Sequence, residues 1–140
     1  MSTTATRPAT SATASCCGIG VDGGLSREAA ETSAALLDSL AQVRVVEQAR
    51  IEECCGFGGT FAMRYPDISE AIVNDKVAAI RATGAARVVS ADCGCLLNIT
   101  GRAAKQDELA GVTAPTLPGE HLASFLYRRT TAQSNTGEVA

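Results

Sequence analysis

Six cysteines set in three close groups constrain this chain more than any other feature: Cys16-Cys17, Cys54-Cys55 and Cys93-Gly94-Cys95. Adjacent cysteines do not readily bridge each other, because disulfide geometry strains the peptide between them. No apolar secretory leader stands at the start of the sequence, so the expected compartment is the cytoplasm, where thiols stay reduced. Grouped thiols in that setting point to metal binding or redox chemistry. Their spacing suggests how they meet. Cys16 to Cys54 is 38 positions, Cys55 to Cys93 is 38, and Cys55 to Cys95 is 40. A βα unit takes about 30–40 residues. Each group therefore falls at a similar place in successive units, just after a strand. In a parallel sheet the carboxyl ends of strands lie side by side and form sites there. Thiols remote in sequence are expected to converge on that rim.

The rest of the chain has the alternation such a sheet needs. Ser26–Leu40 is rich in Ala and Leu and offers Ala29, Ala30, Leu36, Leu37 and Leu40 as a buried helical face. Val43–Glu47 is a β-branched run, a candidate strand. Pro66-Asp67 reads as a helix start, and Ile68, Ile72, Val77 and Ile80 follow at near-helical spacing up to a stop at Gly84. Arg87–Ala91 holds a second strand around Val88-Val89, followed by a turn at Asp92–Cys95 and a helix over Leu96–Ala104. A third strand is expected over Val112–Leu117, and a last amphipathic helix over Glu120–Arg129. The expected fold is thus α/β: a small parallel sheet flanked by helices, with the cysteines at the C-terminal ends of strands. Residues 1–14, nearly all Ser, Thr and Ala, and residues 130–140 read as disordered tails around one domain at 15–129.

Composition narrows the function. Hydrophobic residues make up 46% of the chain, enough for a core, and the net charge of −3 supplies no basic footprint for nucleic acid. No apolar run reaches the roughly 18–20 residues of a membrane span. There is no Ser-His-Asp set, no acid/base pair, and no Lys-Ser/Thr after Gly56–Gly59 to make a phosphate loop. Independent catalysis is therefore not expected. The glycines let the backbone pass close to a bulky inorganic group and aim N–H groups at an anionic centre. Vicinal Cys54 and Cys55 are awkward on one tetrahedral zinc and better suited to a polynuclear cluster. A zinc-binding structural or interaction module on the same cysteines is the alternative, although the usual C-x₂₋₄-C pairs are absent. Cys17 and Cys93 are also readable as small buried residues. His121, the one histidine, reads as packing or capping, and Asp92 as a hydrogen-bond acceptor for nearby N–H groups. Ser69, Asp75 and Lys76 read as solvated helix positions.

The run Glu53-Cys54-Cys55-Gly56-Phe57-Gly58-Gly59-Thr60-Phe61, with Gly94-Cys95-Leu96-Leu97-Asn98-Ile99 downstream, resembles the CCG motif of the cysteine-rich iron–sulfur proteins. That family includes lactate-utilisation protein A, the glycolate oxidase iron–sulfur subunit and the heterodisulfide reductase B subunit. The resemblance covers residues 52–126 and matches the second of the family's two CCG repeats. It implies an iron–sulfur cluster, [4Fe–4S] by the count of four thiolates, held by Cys16, Cys54, Cys55 and Cys95, with Cys93 accessory. It also implies a role in a lactate or 2-hydroxy-acid oxidation complex. The expected partners are other subunits of that complex or a second copy of the chain.

Overall fold

The computed structural model describes residues 10–14, 25–40, 43–49, 51, 53–114 and 116–134. Nine elements follow one another among them: β1 (Thr10–Ala14), α1 (Leu25–Asp38), β2 (Val43–Val45), α2 (Thr60–Arg64), α3 (Pro66–Ala82), β3 (Val88–Ser90), α4 (Cys93–Leu109), β4 (Gly119–His121) and α5 (Leu122–Ser134). The four strands form one sheet in the order β2-β1-β3-β4, and every pairing is parallel. Thr10 pairs with Val43, Thr13 with Val88, and Val88 with Gly119. The α/β architecture with a parallel sheet flanked by helices is therefore what the chain adopts.

Period-two alternation in β3 sends two valines to two different cores. Val88 packs with Val73, Val77 and Ile80 of α3 and with Cys95, Ile99 and Ala103 of α4. Val89 packs on the other face with Leu37 of α1 and Phe125 of α5. Both faces of the sheet are thus covered, as parallel sheets require. The strand order reverses between β1 and β3, since β2 lies outside β1 while β3 and β4 extend the other way. Ligands of open α/β sheets bind at such a reversal, beyond the carboxyl ends of the strands. The Ala91-Asp92 link carries the chain from β3 straight into α4 at that end.

Several elements differ from the sequence reading. Residues 10–14 belong to the sheet rather than to a tail, because pairing with β2 on one edge and β3 on the other supplies what the Thr/Ser/Ala run lacks in pattern. The strand expected at Val112–Leu117 is instead a turn region, and β4 forms later, at Gly119–His121. Proline has no N–H to give a ladder, and pairing begins just after Pro118, at Gly119. The helix expected from Leu96 already begins at Cys93, which moves Cys93 and Cys95 from a turn into the first turn of α4. Cys54 and Cys55 do not sit directly at a strand end; residues 46–53 separate them from β2. In α1, Leu37 is buried but Leu36 is exposed.

Candidate functional site

Two structural pieces build the cysteine site. One is the turn Cys54–Gly59, and the other is the first turn of α4. Gly56 holds φ 78°, a left-handed conformation that L side chains rarely adopt. A Cβ there would lie 2.7 Å from the Ser69 carbonyl oxygen, so the turn also presses its backbone onto the start of α3. At Gly94 a Cβ would stand 2.5 Å from the Phe57 ring, which lies against the bare backbone of α4. Glycine at both positions lets turn and helix close on each other.

That closure brings two thiols into contact across 40 residues: the Sγ atoms of Cys55 and Cys95 are 2.9 Å apart. Both side chains are buried, whereas Cys54 and Cys93 beside them are exposed. Cys54, Cys55, Cys93 and Cys95 are all free of disulfides. The Gly56 N–H donates to Cys54 Sγ at 3.3 Å. Asp92 is the N-cap of α4, and its Oδ1 accepts from the Cys95 N–H at 2.7 Å. Ser90 Oγ in turn accepts from the Asp92 N–H at 3.1 Å, which ties the cap to the end of β3. Asp92 thus acts as the acceptor its place in the sequence suggested. His121 caps α5: its Nδ1 accepts from the Ala123 N–H at 3.2 Å, leaving Nε2 to donate to the Ala91 carbonyl at 3.0 Å. The lone histidine therefore braces the strand-to-helix link that leads to the cysteines.

Two residues read as solvated are not. Ser69 is 5% exposed and Lys76 is 0% exposed. Ser69 Oγ donates to the Gly56 carbonyl at 2.7 Å, and Lys76 Nζ donates to the Ile51 carbonyl at 3.2 Å. Asn98, on α4, donates through Nδ2 to the Cys55 carbonyl at 2.7 Å. Three helix side chains thus hold three carbonyls of the segment that carries the vicinal pair. The signal for Ser69 and Lys76 was helical phase. They share one face with Val73, Val77 and Ile80, at i, i+4, i+7, i+8 and i+11, whereas Ile68 falls outside it and is 53% exposed.

Of the candidate ligands, the structure unites Cys55 and Cys95; Cys54 precedes Cys55 in the glycine-rich turn, with its side chain exposed. Cys16 and Cys17 lie outside the described residues. Cys93 opens α4 and is exposed. Among the described residues no three Cys, His, Asp or Glu side chains converge closely enough to hold a metal ion. The chemistry of the donors nonetheless fits a thiophilic centre: soft, unbridged sulfurs grouped about one glycine-rich turn. That fit rests on thiols at Cys54, Cys55 and Cys95, with any further sulfur coming from elsewhere in the chain.

The model of the CCG cysteine-rich domain matches residues 24–100, more than half of the chain. The chain belongs to the CCG cysteine-rich domain family. Among curated proteins it is similar to lactate utilization protein A of Shouchella clausii, 49% identical over 80 residues, or 56% of this chain and 34% of that one. It is likewise similar to the protein of that name from Bacillus pumilus, 47% identical over 73 residues, covering 52% of this chain and 31% of the relative. The match therefore spans about a third of the length of these relatives. The CCG turn, with its contact to Cys95, lies within the region the family model covers.

Proposed function

We propose that this CCG domain holds an iron–sulfur cluster through Cys54, Cys55, Cys95 and Cys16, and relays electrons in the oxidation of lactate or a related 2-hydroxy acid. The single observation that supports it best is the meeting of Cys55 and Cys95, both buried, where the glycine-rich turn meets the first turn of α4. A buried cysteine alone packs as an ordinary small hydrophobe; it is the meeting of two sulfurs across 40 residues that favours a shared centre. Cys16 is taken as the fourth thiolate from the motif resemblance, which asks for four. When bound, the cluster would supply one-electron redox chemistry at a potential set by charge, hydrogen bonds to sulfur and solvent exposure. The chain's own groups do the rest. Asp92 fixes the first turn of α4, the Gly56 N–H meets the Cys54 sulfur, and Phe57 covers the Gly94 backbone. The lactate assignment comes from the names of the relatives; a cytoplasmic complex with other subunits or a second copy is part of the same proposal. Phe57, Met63, Tyr65 and Leu97, exposed around the cysteine turn and the start of α4, are the apolar side chains on which such a partner would rest.

The test is redox behaviour. Oxygen-free protein reconstituted with iron and sulfide should be brown, should bleach on adding dithionite, and should recover its absorbance on reoxidation. A colourless product, or colour that ignores the reductant, would remove the relay function.

A further inference from the structure

Asn98 belongs to no ligand set, yet it holds the peptide at the centre of the site. The Cys55–Gly56 peptide has its carbonyl on Asn98 Nδ2 at 2.7 Å and its N–H on Cys54 Sγ at 3.3 Å. In a trans peptide these two groups point in opposite directions, so fixing one aims the other. Ser69 grips the next carbonyl, that of Gly56, from α3 at 2.7 Å. The turn is thereby clamped from two helices on consecutive carbonyls. Left-handed glycine backbone is otherwise free to rotate, because it has no Cβ to restrict it.

We propose that Asn98 and Ser69 are positioning residues that lock the Cys55–Gly56 peptide and so keep the Gly56 N–H on the Cys54 sulfur. Hydrogen bonds to ligating sulfur raise the reduction potential of a bound cluster, so the same lock sets the potential of the site. Only this last consequence rests on the cluster reading; the lock itself is a property of the metal-free chain.

Amide hydrogen exchange on the metal-free chain separates the two. In Asn98→Leu, which is close in size but has no donor, the Gly56 amide should exchange about tenfold faster, the protection given by one ordinary hydrogen bond. The amides of Val77, Ile80 and Ala103 should keep their wild-type rates. Asn98→Asp, isosteric and lacking the amide donor, gives the same reading if the leucine variant unfolds. Ser69→Ala should speed Gly56 exchange less than either, because Asn98 still holds the peptide. Unchanged Gly56 exchange in a folded Asn98 variant overturns the proposal, as does acceleration spread evenly over α3 and α4, which would make Asn98 a packing residue only. In reconstituted protein, Asn98→Leu should bind iron as wild type does but show a more negative potential; an unchanged potential overturns the consequence for the cluster. Loss of iron binding in the wild type would strike the cluster reading and leave the exchange result standing.

Discussion

The two ends of α4 are built on opposite plans. At its N-terminus Asp92 is exposed, and its carboxylate caps the helix through the Cys95 N–H. At its C-terminus Asp107 is buried and takes up four contacts: the Thr116 N–H at 2.8 Å, the Thr116 hydroxyl at 2.8 and 2.9 Å on its two oxygens, and Arg81 at 2.7 Å. The Asp107 end fastens α4 to α3 and to the turn that leads into β4. The Asp92 end presents thiols beside a glycine turn. One helix thus has a fastened foot and a head that carries the thiols, with Ile99 and Ala103 buried in the core between them.

The largest effect should come at the head. Cys95→Ser changes one atom and should leave the fold intact by circular dichroism, but in the proposed site it removes a ligand. Variants of supporting residues around metal sites commonly cost about 10–100-fold in affinity, so losing a ligand should cost more than that. Iron retention equal to wild type would detach Cys95 from the site. Lys76→Met comes next. It keeps the stem but strips the part-buried Ile51 carbonyl of the Nζ donor, which should cost about 1 kcal/mol, read as a lower urea midpoint. An unaltered midpoint would mean that water replaces the ammonium.

At the foot the comparison can be sharpened with pH. The Thr116 N–H, followed by the Thr116 hydroxyl and the Arg81 guanidinium, holds the Asp107 carboxyl below its ordinary value of 3.8, against an opposing effect of burial. A depressed carboxylate stabilises the fold fully above its unfolded pKa. That contribution is lost as pH falls below about 3.8 and through the lower folded value. Urea midpoints should therefore drop on acidification through this window, and Asp107→Asn should flatten that drop while lowering stability at neutral pH. An equally steep acid limb in the variant would assign the effect to other groups, with Glu120, also depressed by Arg128 and Arg87, as the next candidate. The smallest effect belongs to Lys105→Ala. Its pair with Glu108 is exposed on both sides, and such pairs contribute about 0.5 kcal/mol or less.

How much of this could be read from the sequence depends on the physics at each residue. The βα alternation, the strand at Val88-Val89 and the helix from Pro66 were legible because apolar period and punctuation agree there. Cys55 does meet Cys95, but from a turn that residues 46–53 separate from β2 rather than from the strand end that unit length implied. β1 was not legible, since a Thr/Ser/Ala run acquires strand character only from its two neighbours. Nor were Ser69 and Lys76: polar side chains on an apolar face signal burial only once the phase of that face is fixed, and Ile68 suggested the wrong phase. Asn98 stands in the motif itself, but its bond to the Cys55 carbonyl depends on a turn of glycines whose path no periodicity encodes.

Iron and acid-labile sulfide, assayed on oxygen-free protein alongside the Cys55→Ser and Cys95→Ser variants, test the central claim most directly. Iron and sulfide bound in equal amounts by the wild type, and lost from both variants, are the predicted result. Zinc in place of iron with no labile sulfide, or iron and sulfide bound undiminished without either thiol, would contradict it.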